Sequence, residues 1–385
     1  MAAPSLREPR AVLGVPDELG SLGRRAAPDS TGVRRRCPAA GLRLLAAALL
    51  PLAGGCANLG YYLQSVGGQL EIWRRERPIA EAMADPATGA ELKRRLARVL
   101  EIREFATREL KLPDNRSFRR YAELGRPYAV WNVYAAPEFS VQPLQWCFLF
   151  AGCVSYRGYF SREAAERFAA GLAERGYDTH VGGVPAYSTL GWFPDPVLDT
   201  FIHFPETEIA RLVFHELAHQ VAYAPDDTVF NESFAMAVET EGVRRWLARA
   251  GDRAGIAEFE RARRIREEFA RLIADYRARL DALYRSGLEA EAMRGRKRAV
   301  LEALQADYRR LREQWGGYAG YDAWFATPPN NARLASVAIY HGLVPAFEAL
   351  LARAGGDLER FYGEARALAA LPKAQREARL RALAP

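Results

Sequence analysis

The sequence predicts a predominantly helical α+β fold, and three of its features lead to this prediction. Apolar residues recur at three- and four-residue intervals through most of the chain beyond residue 86, as they do on one face of an α-helix. Short runs of β-branched and aromatic residues between 128 and 200 are separated by glycine and proline, a pattern typical of strands and turns. Hydrophobic residues make up 49% of the 385 positions, so the chain can bury a large core.

The first 56 residues are expected to be a leader and an export signal outside the folded domain, which is predicted to span 57–385. Arginines at 34–36 and 43 precede a short apolar run at 44–52, and small residues then lead to Cys56. The apolar run is too short to span a bilayer. This order resembles a bacterial lipoprotein signal, in which the cysteine is acylated. The resemblance implies a lipid anchor at Cys56 in the bacterial cell envelope, and Ala57 after the cysteine favours the periplasmic face of the outer membrane.

The net charge of +7 does not indicate a nucleic-acid-binding protein. Residues 1–56 carry eight arginines against four acidic residues, so much of the excess lies outside the predicted domain. The other lysines and arginines form no block interleaved with aromatic residues, as nucleic-acid recognition would require. We therefore expect no nucleic acid as a partner, and the sequence implies no particular protein partner.

The first part of the predicted domain combines two helices with several strands. Apolar spacing predicts a helix over 86–112, and Ser161 is the expected cap of a second helix that ends at Gly176. Strands are expected at 128–134 and within 142–156. Glycines and prolines between 177 and 200 predict a loop with short strand pieces.

Cys147 and Cys153 are the one close pair of cysteines beyond Cys56. The oxidising compartment implied by the export signal would allow a disulfide that closes the short loop between them. We expect this disulfide, and two buried free thiols are the alternative.

The rest of the chain is predicted to be almost wholly helical. Helices are expected over 206–223 and 231–250, and a last long helix over 330–354. The stretch 253–315 predicts two long antiparallel helices that reverse within 286–295. Both charge signs are interleaved in this hairpin, so we expect it to pack on the core with a solvated face. A basic interaction arm is the alternative.

A His-Glu-x-x-His motif at 215–219 lies in the first of these helices. Residues four apart lie one turn apart on the same face, so His215 and His219 can present two imidazole nitrogens to one zinc ion. Glu216 is rotated from them by about 100°, which places its carboxylate beside the open coordination position. There it can act as general base and acid in hydrolysis by a metal-activated water. Two helical histidines without a metal are the alternative.

The third zinc ligand is expected to be Glu232, at the start of the following helix. Two histidines and one glutamate leave a fourth position for water, as in catalytic zinc sites. Asp226 and Asp227 compete with Glu232, but they have the positions of turn residues and helix caps. Glu239 lies two turns beyond Glu232 on the same face, where it can hold a ligating imidazole in the correct tautomer.

These motifs resemble two related groups of zinc peptidases. The segment Asn-Glu-Ser-Phe-Ala at 231–235, with Glu239 beyond it, resembles the Asn-Glu-Gly-Phe-Ala segment of alanyl-aminopeptidase-type gluzincins. Ser233 replaces the glycine, and only twelve residues separate His219 from Glu232. The chain as a whole resembles a family of bacterial predicted aminopeptidase lipoproteins. The matching positions are 55–56, 61–62, 68–69, 153–160, 214–219, 230–235 and 330–332.

The resemblance implies a zincin-like metallopeptidase core, with the 253–315 hairpin as an insertion and one catalytic Zn²⁺. It also implies that a tyrosine or histidine late in the chain stabilises the oxyanion. Tyr340 has this place by order in the chain, and Tyr223 is its rival. In zinc peptidases, an edge strand before the active-site helix holds the substrate backbone. Residues 186–192 have that position, with a connecting hairpin as the alternative.

The expected function is that of a zinc-dependent peptidase, an aminopeptidase acting on peptides in the cell envelope. The Gly-x-Met-Glu-Asn segment that binds the substrate amine in alanyl aminopeptidases is absent. Its substitutes would be acids near the motif, namely Asp195, Asp199, Glu206 and Glu208. A zinc endopeptidase that processes envelope proteins and a non-catalytic lipoprotein scaffold are the two alternatives.

Overall fold

The computed structural model describes residues 60–148, 152–186, 189, 193–225 and 227–383, without the side chains of 338–341. Residues 59–385 form one compact unit. The predicted leader and signal, with Cys56, lie outside the described residues, as does most of the predicted edge strand at 186–192. Within the described ranges, no helix combines the length and the apolar character needed to cross a membrane.

Three small sheets are found in the described residues. Their strands are β1 (Arg77–Pro78), β2 (Arg120–Ala122), β3 (Val130–Pro137), β4 (Trp146–Phe148), β5 (Gly152–Val154), β6 (Arg157–Tyr159), β7 (Tyr177–Val184) and β8 (Val197–Leu198). In one sheet, β3 lies between β6 and β7 and is antiparallel to both. In a second sheet, β2 is antiparallel to β1 and parallel to β8. A β4–β5 hairpin places Cys147 opposite Cys153, and a disulfide joins the two.

The strand β7 corrects the loop that the sequence predicted from residue 177. It pairs with β3 over eight residue pairs, beginning with Val130 opposite Val184. The glycines in this segment suggested a loop, but Gly183 has a packing role. A Cβ atom at Gly183 would lie 2.3 Å from the ring of Tyr128, so the strand needs glycine where this ring crosses it.

Helices make up most of the described chain, which confirms the predominantly helical α+β class. The first helix, α1, covers residues 60–75. The others are α2 (Ile79–Ala84), α3 (Ala90–Arg108), α4 (Arg162–Ala173), α5 (Glu206–Ala218), α6 (Thr228–Arg249), α7 (Arg253–Tyr284), α8 (Ala290–Gln314), α9 (Asp322–Phe325), α10 (Asn331–His341), α11 (Val344–Arg353), α12 (Leu358–Ala369) and α13 (Lys373–Arg381).

The helix α5 ends five residues earlier than predicted, at Ala218 rather than at 223. Its last turn tightens, because the amides of Gln220 and Val221 donate to carbonyls only three residues back. Pro225 follows and disfavours helix in the residue before it. The next helix, α6, begins at Thr228 rather than at 231, because the Asp227 side chain caps it by accepting from the Phe230 amide.

Two further helix predictions were too long. The helix predicted over 86–112 is α3, which begins only after Gly89. The helix predicted over 330–354 is two helices, because Gly342 and Leu343 separate α10 from α11. At this break, the Ser233 hydroxyl accepts a hydrogen bond from the Leu343 amide at 3.0 Å. The serine therefore caps the start of α11 from inside the core.

The stretch 253–315 forms α7 and α8, which contact each other along their length. The chain reverses near Gly287, whose φ of +72° favours glycine. The second predicted breaker, Gly295, lies inside α8 instead. The hairpin has an apolar cluster of its own that includes Phe269 and Ile273, and this cluster reaches Leu334 of α10. It therefore packs on the rest of the domain rather than projecting as an arm.

The core lies between α5 and α6, which bury their apolar faces against each other. Phe214 and Leu217 of α5, and Phe230 and Phe234 of α6, are all fully buried. Burial of each phenylalanine contributes about 1.5–3 kcal/mol of stability. At the crossing, a Cβ atom on Gly242 would lie 2.7 Å from the Phe214 ring, so glycine allows the close approach of the two helices. This packing holds the two motif-bearing helices in one relative position.

Candidate metal centre and active-site cavity

Side chains from α5 and α6 meet in one buried cluster. The Nε2 atoms of His215 and His219 lie 3.2 Å apart. The Oε2 atom of Glu232 lies 3.2 Å from the first of these nitrogens and 3.8 Å from the second. The structure thus brings together the three residues that the sequence singled out as metal ligands, and their ligand atoms point at one another.

The spacing and chemistry of this cluster fit a tetrahedral metal ion. Zinc binds nitrogen and oxygen at about 2.0–2.1 Å, so two ligand atoms of one tetrahedral ion lie roughly 3.3 Å apart. The three measured separations are 3.2, 3.2 and 3.8 Å. Two imidazoles and one carboxylate are also a ligand set that zinc prefers. The residues therefore fit the metal that the motif implies.

A chain of ionic hydrogen bonds orients His215 from behind. Its Nδ1 lies 2.7 Å from Oε2 of Glu239, so Nδ1 is the donor to this carboxylate and Nε2 is the nitrogen left to bind a metal ion. Arg211 donates to both oxygens of Glu239, at 3.0 and 3.2 Å, and also to Glu208. The sequence predicted that Glu239 holds a ligating imidazole. It did not predict the role of Arg211, which lies one turn before His215.

The position of Glu232 is set by its neighbour Asn231. The Asn231 Oδ1 accepts from the amide of Ala224 at 2.7 Å, and its Nδ2 donates to the carbonyl of the same residue at 2.9 Å. This two-point contact fixes the turn that returns the chain from α5 to α6. An asparagine can make both bonds at once because its amide has a donor and an acceptor. The sequence had treated Asn231 only as part of a motif.

Electrostatic effects at the cluster follow from burial among several carboxylates. Burial raises the pKa of Glu216 to about 8. Burial alone would lower the pKa of His215, but hydrogen bonds to Glu232 and Glu239 raise it to about 10. Burial lowers the pKa of His219 to about 4, and its Nδ1 has no hydrogen-bond partner within the described residues. Three carboxylates around two imidazoles make the cluster attractive to a cation.

A cavity of about 540 Å³ opens over this cluster and Glu216. Apolar side chains also line it, among them Val130 of β3, Val154 of β5 and Val184 of β7. The first helix contributes Tyr61 to the lining, and this ring stacks on that of Phe148 with ring centroids 5.3 Å apart. A partly apolar cavity with a few convergent polar groups is typical of a small-molecule or peptide site.

A known protein family matches this chain. The model of the family described as "Putative aminopeptidase" matches residues 60–380, which is most of the chain. The chain belongs to this family. Membership supports peptidase activity and a peptide substrate. No curated protein and no solved structure matches the chain.

For an aminopeptidase family member, the residues that bind the substrate amine are of particular interest. The four acids suggested by the sequence are all engaged elsewhere. Asp195 and Asp199 accept hydrogen bonds from backbone amides, while Glu206 and Glu208 accept from arginines. None of the four is among the described residues that line the cavity. The carboxylates in its described wall are those of the cluster, namely Glu216, Glu232 and Glu239.

The resemblance to aminopeptidases implies a tyrosine that stabilises the oxyanion, and Tyr340 and Tyr223 are the two candidates. Tyr340 belongs to α10, but its side chain is not among the described ones. Tyr223, its rival, lines the cavity, as does Tyr156, which follows β5. Burial, followed by the charge of Glu232, raises the pKa of Tyr156 well above its usual value. Tyr156 lies within the 153–160 stretch that matches the family resemblance, but the sequence alone indicates no role for it.

Proposed function

We propose that this protein is a zinc-dependent peptidase with a zincin-like core, and that it acts as an aminopeptidase. One observation carries the proposal. Three ligand atoms with tetrahedral spacing lie in a cavity whose wall also contains Glu216. In this proposal His215, His219 and Glu232 hold the ion. Zinc, when bound there, supplies Lewis-acid chemistry toward a carbonyl and toward water.

Glu216 is the proton carrier of the proposed reaction. Its carboxylate accepts a proton from the attacking water and then gives this proton to the leaving amine nitrogen. A general base works best with a pKa close to the working pH, and burial shifts the pKa of Glu216 upward from its usual value, toward that range. Burial of Glu216 also supports this role, because few water molecules compete for a carboxylate in a buried site.

Replacement of the proposed base tests the mechanism. We expect Glu216→Gln to bind zinc in the wild-type ratio and to lose peptide hydrolysis by a factor of about 10² or more. Metal analysis of the purified protein gives the zinc ratio, and a peptide-release assay gives the rate. Glu258→Gln on α7, where the side chain is exposed, is the matched control and should keep both. Full activity of Glu216→Gln, or equal loss of zinc, would contradict the proposal.

An endopeptidase is the second candidate, because the four acids suggested for amine binding are engaged outside the cavity wall. Peptides of one sequence, with a free or an acetylated amino terminus, separate the two activities. An aminopeptidase cleaves only the free peptide and releases single residues from it. An endopeptidase cleaves both and releases internal fragments, which mass spectrometry identifies.

We also propose that Cys56 is acylated and anchors the enzyme in the cell envelope. The basic, apolar and small-residue order before Cys56 supports this proposal. Metabolic labelling with an alkyne fatty acid should mark the wild-type chain and leave Cys56→Ala unmarked. Equal labelling of both chains would refute acylation at this position.

A further inference from the structure

We infer that an arginine-lined cavity next to the metal centre binds a carboxylate group of the peptide substrate. This inference rests on the proposed peptidase function and names the class of peptide that the site prefers. A second cavity of about 520 Å³ lies between α7 and the α10–α11 break. It shares three wall residues with the first cavity, namely Met236, Glu239 and Arg266. A peptide that lies over the metal centre can therefore extend into it.

One face of α7 lines this second cavity with arginines. Arg263, Arg266, Arg271 and Arg277 all contribute to its wall, and at about 100° per residue the side chains of Arg263, Arg266 and Arg277 leave the helix within about 60° of one another. Between them lie small residues, Ala270 and Ala274, which leave room for a ligand. The arrangement places several guanidinium groups around one open volume.

Within the described residues, three of these arginines lack a close carboxylate partner. Arg266 comes no nearer to a carboxylate than 3.9 Å, at Glu208. Arg277 donates to the carbonyl of Val141, but its buried Nε has no acceptor within the described residues. Arg271 is exposed and forms no ion pair or side-chain hydrogen bond with the part of the chain that the structure describes.

Two of the three acids in the same wall are already paired with cations. Glu239 accepts from Arg211 and His215, and Glu267 accepts from Arg263. Glu348 lies 3.9 Å from Arg263, the same separation as Arg266 from Glu208, so the wall holds four arginines against three acids. The guanidinium groups of Arg266, Arg271 and Arg277 therefore give this cavity an excess of positive charge that its own acids do not neutralise.

A carboxylate is the ligand that this charge and geometry favour. Guanidinium groups bind carboxylates through two parallel hydrogen bonds, and a positive cavity repels the α-ammonium group of a peptide. The carboxyl-terminal part of the substrate should therefore occupy the arginine-lined cavity, with the scissile bond near Glu216. The carboxylate can come from the chain terminus of a short peptide or from an Asp or Glu side chain.

Three peptides of matched sequence distinguish these sources. The first has a free carboxyl terminus, the second is its amide, and the third is an amide with one Glu near its carboxyl end. Their binding is measured by calorimetry on Glu216→Gln, so the result does not depend on hydrolysis. We expect the free acid or the Glu-containing amide to bind about tenfold or more tightly than the plain amide, because a charge-assisted hydrogen bond contributes this much. The peptide that binds more tightly than the plain amide identifies the source of the bound carboxylate.

Arginine variants test whether the preference for a carboxylate arises in this cavity. Arg271→Gln, made in the Glu216→Gln background, should reduce the preference for the carboxylate several-fold, and adding Arg277→Gln should reduce it further. Because Arg271 is exposed and unpaired within the described residues, its variant should fold normally. Arg264→Gln removes the same charge from an exposed position of α7 outside both cavities, and it should keep the full preference.

Two outcomes overturn the inference. One is equal binding of all three peptides, and the other is a preference that survives in the Arg271→Gln variants but falls in Arg264→Gln. Failure of the peptidase proposal has a different signature, since the wild-type protein would then cleave none of the peptides whatever their binding.

Discussion

At the scale of single residues, a phenol in the cavity is the group whose role is least evident from the sequence. Tyr156 lines the cavity, and burial, followed by the charge of Glu232, raises its pKa. A hydroxyl so placed can donate a hydrogen bond to the oxyanion that develops during hydrolysis. Loss of one such donor costs about 10²–10³ in kcat in other enzymes.

We therefore predict that Tyr156→Phe lowers kcat by about 10² or more while KM changes little, because the bond forms only in the transition state. Steady-state kinetics on a cleaved peptide measures both constants. Tyr61→Phe is the control, since Tyr61 lines the same cavity and stacks there through its ring, which phenylalanine keeps. A normal kcat for Tyr156→Phe would remove this residue from the mechanism.

Asn231 links a local turn to the metal ligands. Its two hydrogen bonds to Ala224 are both buried, and substitution would leave the amide and the carbonyl of that residue without these partners. We predict that Asn231→Ala lowers the free energy of unfolding by about 2–4 kcal/mol and the zinc affinity by about tenfold or more. Urea denaturation and competition with a chelating dye provide the two measurements.

Asn330→Ala is the control that separates the loss of stability from the loss of zinc affinity in Asn231→Ala. Asn330 caps α10 by accepting from the Arg333 amide, so its loss should cost about 1 kcal/mol of stability. Zinc affinity should stay unchanged in this variant. Unchanged zinc affinity in Asn231→Ala as well would mean that the turn does not position Glu232.

At the scale of elements, the last helix of the chain supports the ligand-bearing helix α6. Arg376 of α13 donates to Oδ2 of Asp227 at 2.9 Å, and both side chains are almost fully buried. Arg376 also donates to the carbonyls of Ala369 and Leu371. Asp227 therefore caps α6 with one oxygen and anchors α13 with the other.

Breaking this buried pair should be costly, because it leaves the Asp227 charge without its partner. We predict that Arg376→Met lowers the free energy of unfolding by about 3–5 kcal/mol, and that the added substitution Asp227→Asn recovers part of the loss. Arg381→Met breaks an exposed pair with Glu377 on the same helix and should cost less than about 1 kcal/mol. Similar unfolding curves for the Arg376 and Arg381 variants would contradict the proposed support.

At the scale of the whole molecule, the contact between the β3–β7 sheet and α10 makes stability depend on pH. His180 of β7 stacks on Tyr134 of β3 and accepts a hydrogen bond from Arg333 of α10. Burial, and then the charge of Arg333, lower the pKa of His180 to about 4. The folded protein therefore keeps this ring neutral at pH values where the unfolded chain protonates it.

The direction of the pH effect follows from proton binding. Between about pH 6.5 and 4 the unfolded state binds more protons at this position, so stability falls as pH falls. We predict that His180 accounts for about 1–3 kcal/mol of this loss, since its ring is only partly exposed. Urea denaturation between pH 7.5 and 4.5 should show a shallower slope for His180→Phe, which keeps a ring against Tyr134. Parallel curves for the two proteins would contradict the assignment.

Much of the local structure could be predicted from the sequence, because helices and caps depend on neighbouring residues. The helices that carry the motif were expected, and Asp227 was expected to cap the second of them. The strand at 177–184 was missed because its glycines are local turn signals, whereas the pairing with β3 is a long-range contact. The break at Gly342 was missed for the same reason, since Ser233 stabilises it from 110 residues away.

The sequence by itself determined the chemistry of the candidate site. A four-residue spacing on one helix brings His215 and His219 to one face, with Glu216 beside them, and Glu232 was expected from its place at the start of the following helix. Only the tertiary structure decided how these groups are held and what surrounds them. Arg211 and Arg376 act through partners 28 and 149 residues away in sequence, Asn231 acts through a contact across the turn between two helices, and the arginine-lined cavity exists only where α7 packs beside α6. Contacts between packed elements join residues at no regular spacing along the chain. No local sequence pattern could therefore have predicted these contacts.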